Sequence, residues 1–325
     1  MDDRRPIFIV GCPRSGTTLL SVLLHAHPHI AMPPETRFLL PAYYEREKFG
    51  DLRDPANRRR LAEQITGKGS GFGDLRLDRA ATIDAIVAAP PTLGSAFATI
   101  WREFAQSRGK PRWGEKRPAY WREMDVILRL FPNAQVIHLV RDPRSCVASL
   151  ARVPWWDRTV PDATAVWSMS NRTLGRLGRR LPTDSYRRVF YEDLVRDVRG
   201  TLEPLCAFLG EDFAESMLEH ATAASDIVPR RKTWHRLVGT EVDPNRMQGW
   251  RSVLAPDQVG LVEFVSMPQM WRYGYRRSGL AARPRAADVV ESLDKIARTR
   301  AWLVKRRWQD ARLRRRFSAS LAAER

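Results

Sequence analysis

The first apolar run, Ile7-Phe8-Ile9-Val10, does not alternate with polar residues, so it predicts a strand buried on both faces, as in a parallel sheet. A helix-like segment, Leu19 to Ala26, follows and is ended by His27-Pro28. Residues 30–32 are a short apolar run that reads as another strand, and Pro33-Pro34 makes a rigid turn before Glu35-Thr36-Arg37 and the apolar Phe38-Leu39-Leu40. From 45 to 112 the chain is mostly polar with helical character, broken by glycines between Gly67 and Gly73. That stretch predicts an insertion that covers the sheet rather than extending it. A helix-like segment from Trp121 to Leu130 and a Phe131-Pro132-Asn133 turn lead into the clearest strand after the first, Gln135-Val136-Ile137-His138-Leu139-Val140. It ends at Arg141-Asp142-Pro143, and a helix resumes around 145–151. Tyr186 to Phe190 predicts a further strand, and Leu202 to Leu209 a helix stopped by Gly210.

Strands alternating with helices predict an α/β protein: a P-loop-like three-layer fold with a central, mostly parallel sheet flanked by helices. From about residue 281 the pattern changes. Arg283-Pro284-Arg285 reads as a linker, after which Val289, Leu293, Ile296, Val304 and Trp308 fall at helical spacing among arginines. The chain thus divides into a main domain, 1–280, with its helical insertion at about 45–112, and a C-terminal basic amphipathic helical tail, 281–325. Such a tail can pack on the domain, pair with a partner, or make peripheral contact with an anionic membrane.

A net charge of +18 favours an anionic partner: a nucleotide, a nucleic acid, an acidic carrier or a membrane face. Part of the excess sits in Arg58-Arg59-Arg60, and part in the tail, at Lys305-Arg306-Arg307 and Arg312-Leu313-Arg314-Arg315-Arg316; solvated helix faces account for it equally well. No helix-turn-helix, zinc-finger or RNP pattern accompanies the charge, so no specific nucleic acid is expected. Cys12, Cys146 and Cys206 are unevenly spaced, give no metal pattern and read as small buried residues. No transmembrane run is present, and the N-terminus lacks the features of a signal peptide. Cytoplasmic residence, with the tail allowing peripheral membrane contact, is the expectation.

The chemistry begins at the end of the first strand. Gly11-Cys12-Pro13-Arg14-Ser15-Gly16-Thr17-Thr18 has the spacing of a phosphate-binding loop, with Thr17 where a nucleoside triphosphatase carries lysine. The loop can still wrap an anion with backbone N–H groups and a helix N-terminus, and Arg14 supplies a cation from within it. This suggests a nucleotide whose reacting end is not a γ-phosphate. In a parallel sheet, ligands bind at the carboxyl ends of the strands. Gly11–Thr18 and Arg141–Ser149 both lie there, so they can converge on one ligand. A small-molecule kinase is the same-fold alternative. The missing loop lysine and a second strand that ends in arginine rather than in a metal-binding carboxylate speak against it.

These motifs, in this order, resemble the sulfotransferases that use 3′-phosphoadenosine-5′-phosphosulfate (PAPS), in the branch of bacterial and tyrosylprotein enzymes. Pro13-Arg14-Ser15-Gly16-Thr17-Thr18-Leu19 is similar to the family's 5′-phosphosulfate loop, and Val140-Arg141-Asp142-Pro143-Arg144 through Ser149 to its 3′-phosphate motif. Pro34-Glu35-Thr36-Arg37 resembles the segment carrying the catalytic glutamate, and Glu115-Lys116-Arg117-Pro118 the Glu-Lys-Thr-Pro element, with Arg117 in place of threonine. Tyr191-Glu192-Asp193-Leu194 and Gly249-Trp250-Arg251 are similar to later landmarks. Before Trp250, Arg246 and Gln248 replace the lysine-bearing pattern of the tyrosylprotein branch.

The resemblance implies in-line transfer of a sulfuryl group from PAPS, without a metal, to an acceptor hydroxyl or amine on a carbohydrate, lipid, peptide or small molecule. Arg14, Ser15, Gly16, Thr17 and Thr18 would hold the 5′ end of the donor, and Arg141 and Ser149 its 3′-phosphate. Glu35 would be the general base, and Arg14 and Lys116 the cations at the leaving oxygen. Each has a rival reading: an Arg141–Asp142 pair, a Lys116–Glu115 surface pair, and Glu35 as a helix-start carboxylate. His25, His27 and His29 are rival bases, and Arg144 a further phosphate contact. Arg37 orients Glu35, binds substrate, or faces solvent. Trp155, Trp156, Trp167 and Trp234 line an acceptor or adenine pocket, or the core.

Overall fold

The computed structural model describes residues 4–229 and 244–316. Among them one five-stranded sheet forms, in the order β2-β3-β1-β4-β5, with every neighbouring pair parallel. The strands are β1 (Ile7–Gly11), β2 (Ile30–Ala31), β3 (Arg112–Lys116), β4 (Gln135–Val140) and β5 (Tyr186–Phe190). β1 and β4 are buried along their whole length; β1 is apolar until Gly11, and in β4 the buried His138 is hydrogen-bonded to Tyr186 and Asn171.

β3 is a strand that the sequence pattern does not predict, and only its first residue, Arg112, falls in the stretch expected to cover the sheet. The strand reads Arg-Trp-Gly-Glu-Lys and is nonetheless buried throughout. It gains its place through polar partners instead of apolar ones, and Gly114 lets Met32 and Ile7 press against its backbone. Arg112 donates to the carbonyls of Arg5 at 2.9 Å and Leu209 at 2.7 Å, and pairs with Glu211 at 3.2 Å.

The helices are α1 (Thr17–Ala26), α2 (Leu39–Tyr44), α3 (Pro55–Ile65), α4 (Arg79–Ala88), α5 (Leu93–Gln106), α6 (Met124–Leu130), α7 (Pro143–Leu150), α8 (Val160–Leu177), α9 (Tyr191–Arg196), α10 (Val198–Leu209), α11 (Ala221–Ile227), α12 (Pro256–Arg272) and α13 (Ala286–Arg316). The polar stretch 45–112 is helical, as its composition predicts, through α3, α4 and α5. Within it α5 buries Phe97, Trp101 and Phe104 against the sheet. Trp101 stacks on Trp113 of β3 with ring centroids 4.9 Å apart, and Phe8 and Phe131 close the cluster. The helix expected from 121 is shorter, because a 3₁₀ turn takes Pro118–Arg122 before α6 begins. Gly210 ends α10 in the left-handed conformation. All three cysteines are free and buried.

α8 and α12, which the sequence pattern does not single out, form a second layer with α13. The inner side of α13 packs along α8: Lys295 pairs with Asp162 at 2.9 Å and Ser292 donates to the Pro161 carbonyl at 3.3 Å. Further on, Asp310 accepts from Tyr43 at 2.5 Å and pairs with Arg129 at 2.9 Å. No helix among the described residues is long and apolar enough to cross a membrane. Residues 317–325 of the tail and Trp234 lie outside the described residues.

Candidate active site

The carboxyl edge of the sheet collects the two anion motifs. β1 lies between β3 and β4, with Ile9 beside Lys116 and Gly11 beside Leu139. The loop after β1, Lys116 at the end of β3 and Arg141 just past β4 therefore emerge together. Arg14 sits in the left-handed region, φ 69°, and Gly16 follows at φ 95°. Alternating backbone handedness of this kind turns successive N–H groups inward, into a concavity suited to an anion. Gly16 caps α1 without any side-chain hydrogen bond, and the first turn of α1 carries no acid. The positive end of the helix thus stays available to a negative group from outside. A side chain at residue 16 would strike the ring of Tyr191, so glycine is required there by contact as well as by conformation.

The second motif closes on the first. Arg14 Nε donates to Ser149 Oγ at 3.0 Å, and Arg141 Nη1 donates to the Arg14 carbonyl at 3.1 Å. Arg141 lies over the Tyr191 ring, 4.1 Å from its centroid, and its carbonyl accepts from Trp167 Nε1 at 2.9 Å. Burial, and then the charge of Arg141, pull the Arg14 pKa below its ordinary value. Ser15 Oγ and Arg141 Nε are buried and have no hydrogen-bond partner. Buried polar groups are almost always satisfied, so these two orphans in a basic cradle fit an anionic ligand.

Several rival readings fall to the geometry. Asp142 does not pair with Arg141. Its carboxylate caps α7 through the Arg144 N–H at 2.8 Å and pairs with the Arg144 side chain at 2.6 Å. Arg144 also pairs with Glu263 at 2.7 Å, which commits it to holding α7 against α12 rather than to phosphate. Lys116 does not pair with Glu115. Its ammonium meets Glu35 Oε1 at 2.6 Å and donates to Thr18 Oγ1 at 3.2 Å. Glu35 precedes α2 by four residues, so it is not a helix-start carboxylate. Arg37 is exposed.

Burial pushes the Glu115 carboxyl up to about 8, because it is wholly withdrawn from solvent. Thr36 Oγ1 donates to Glu115 Oε1 at 3.0 Å. Glu115 thus anchors the backbone of the residue next to Glu35, a role that spacing alone did not suggest. Tyr191 and Trp167, which brace Arg141, were also missed as parts of the site. Tyr191 opens a segment already marked by the family resemblance, and Trp167 was left between pocket and core. Trp155 is 44% exposed and stands edge-on to Trp156.

The histidines lie at the opposite, amino-terminal edge. His25 Nδ1 accepts the Met32 N–H at 3.1 Å while Nε2 faces Asp226 at 3.0 Å. His27 Nδ1 accepts the His29 N–H at 3.1 Å and Nε2 bonds the Asp212 carbonyl at 2.8 Å. His27, His29 and Glu211 offer ligand atoms within 4.8 Å of one another. Both ring nitrogens of His27 are spent, however, and Glu211 is held by Arg112, so the cluster reads as turn structure. A cleft of about 360 Å³ beside β5, lined by Phe190, Glu192, Met247, Tyr273 and Tyr275, contains none of the expected site residues.

A glycine loop and helix N-terminus at the carboxyl edge of a parallel sheet, facing a second arginine–serine motif, define an α/β protein built around an anion cradle. The chain belongs to the Sulfotransferase family, whose signature matches residues 6–215. It is 29% identical to the sulfotransferase domain of the Synechococcus PCC 7002 olefin synthase, with a TM-score of 0.62 over 85% of this chain and 98% of that one. It is 27% identical to protein-tyrosine sulfotransferase 2 of Gallus gallus over 66% of this chain and 53% of the relative. To nodulation protein NoeE of Sinorhizobium fredii it is 28% identical, over 87% of this chain and 68% of the relative. The chain spans about half the length of the protein-tyrosine sulfotransferase.

Proposed function

We propose that the protein transfers a sulfuryl group from PAPS to an acceptor hydroxyl. The observation that carries this reading is the meeting of Arg14, Ser149 and Arg141 at one edge of the sheet, with the Glu35–Lys116–Thr18 chain beside it. PAPS, when bound, supplies the activated sulfuryl group. The loop Gly11–Thr18 acts as a P-loop-like cradle for its 5′ end, through the N–H groups of Gly16, Thr17 and Thr18 and the guanidinium of Arg14. Arg141 and Ser149 hold the 3′-phosphate. Lys116, anchored by Thr18, brings positive charge to the side of the cradle where the leaving oxygen gains negative charge.

Glu35 takes the proton from the acceptor hydroxyl. Its ion pair with Lys116 fixes the carboxylate at the cradle's rim. Relatives named for protein-tyrosine sulfation make a phenolic hydroxyl the first acceptor to try. The kinase alternative has no support at the end of β4, where Arg141 stands and the Asp142 carboxylate is taken up by Arg144.

Calorimetry with 3′-phosphoadenosine-5′-phosphate tests the cradle. Each charge-assisted hydrogen bond is worth about 1.5–3 kcal/mol, so Arg14→Ala and Arg141→Ala are each expected to weaken binding roughly 10- to 100-fold. Unchanged affinity in both, or turnover of ATP in magnesium without uptake of this nucleotide, overturns the reading.

A further inference from the structure

α13 has two faces, and folding uses only one. The inner face carries Ser292, Lys295, Asp310 and their partners on α8, α2 and α6. On the outer face, positions 290, 293, 297, 301, 304 and 308 step by three and four, which keeps them in one stripe along a helix. They are Val290, Leu293, Ala297, Ala301, Val304 and Trp308. Val290 is 65% exposed, Leu293 53%, Val304 67% and Trp308 63%. At about 1.5 Å per residue the stripe is ~27 Å long. Isolated surface apolar residues need no explanation, but a continuous row along a helix of 31 residues does.

The stripe is bordered by cations. Lys305 and Arg312 lie along one side and Arg300 along the other. Arg298 and Arg307 add to the borders while sharing the carboxylates of Asp294 and Asp125. Arg300 also joins a wider basic patch. Arg172 of α8 faces Arg176 of its own helix, Arg300 of α13 and Arg272 of α12. Partial burial and then this mutual repulsion draw its pKa below the ordinary value. No carboxylate partner of these four is found among the described residues.

We infer that the outer face of α13 docks the protein on an anionic lipid surface, with the apolar stripe entering the headgroup–acyl boundary and the bordering arginines and lysine meeting lipid phosphates. A helix lying in the membrane plane has this design, an apolar strip between basic flanks, and each basic side chain near such a surface adds about 1 kcal/mol. The same charges oppose a second copy of the chain as the occupant, because helices paired along the stripe would set arginines against arginines. Nucleic acid would use the cations and leave Val304 and Trp308 without a purpose. The helix stays folded on α8 throughout, so docking requires no rearrangement.

The full chain is mixed with phosphatidylcholine vesicles, with and without roughly one-third phosphatidylserine, and sedimented. Binding is expected to the anionic vesicles only, and to fall as salt is raised. Val304→Ser/Trp308→Ser keeps the charge and changes exposed positions only. It is expected to lower vesicle partitioning at least about tenfold, while its melting curve and its affinity for 3′-phosphoadenosine-5′-phosphate stay those of the parent. Equal binding to neutral vesicles, or undiminished binding by the double variant, overturns the inference. So does a dimer in solution that the double variant abolishes. Failure here leaves the nucleotide cradle untouched, since that is read by calorimetry.

Discussion

The two edges of the sheet hold the same kinds of residue and treat them in opposite ways. At the amino edge, Arg112 meets Glu211, Arg108 meets Asp226 at 3.1 Å, and His25 and His27 have both ring nitrogens engaged. The charges there cancel locally, and they tie β3, α1, α10 and α11 together. At the carboxyl edge Arg14 and Arg141 face one another, and Ser15 Oγ and Arg141 Nε are buried without partners. A fold that cancels its charges at one edge and leaves two buried polar atoms without partners in a basic cradle at the other has room there for an anionic ligand. Residue type therefore says little by itself: His25 and His27 spend both ring nitrogens on structure, while the groups gathered at the cradle are arginines, a lysine and a glutamate.

The contrast can be broken in three places. The largest effect is expected at Glu35. Glu35→Gln keeps the shape and removes the base, so turnover should fall roughly 10²–10⁴-fold, with affinity for 3′-phosphoadenosine-5′-phosphate unchanged. Full activity in a sulfuryl-transfer assay would take the carboxylate out of the chemistry. Next comes Arg112→Ala at the amino edge, which takes from Glu211 and Gln135 a buried charged partner. Breaking a buried pair costs about 3–5 kcal/mol, so denaturant melts should show a loss of that order. Nucleotide affinity of the folded fraction should hold. A large affinity loss there would mean that the two edges are not separable.

The smallest effect lies on the boundary between the edges, at Glu115. Its folded value of about 8 exceeds its ordinary 4.5 because burial disfavours the charged form. A raised folded value gives stability that is complete below the ordinary value and drains away as pH rises to the folded one. The parent should therefore lose stability between about pH 4.5 and 8 relative to Glu115→Gln, which has nothing to ionise. The gap in Tm between the two should widen over that window and stay level above it. A constant gap would show that Glu115 is ionised in the folded protein.

How much of this could be read along the chain depended on what each segment used to stay buried. β1, β4 and the loop after β1 declare themselves, because their strands are apolar on both faces and the loop's glycines have fixed spacing. Arg14, Arg141 and Ser149 followed from the loop's spacing, from strand ends that bring both motifs to one edge, and from the family resemblance. β3 did not declare itself. Its arginine, glutamate and lysine are buried against polar partners from Arg5, Thr36, Glu35 and Leu209, and no pattern of apolar residues encodes those. The pairing of Lys116 with Glu35 was hidden for the same reason, because it depends on β3 lying next to β2. The outer stripe of α13 was visible only in part. The spacing marked an amphipathic helix, but Val289 and Ile296 turn inward while Leu293, Val304 and Trp308 turn outward, a division set by where α8 lies.

The ring of Tyr191 lies against Gly16 and carries Arg141. One flat, rigid ring thus touches both anion motifs. On the proposed function the cradle would act as a fixed gauge: a nucleotide with phosphates at both its 3′ and 5′ positions would meet both motifs, whereas a linear triphosphate, however many charges it carries, would have nothing to offer the second.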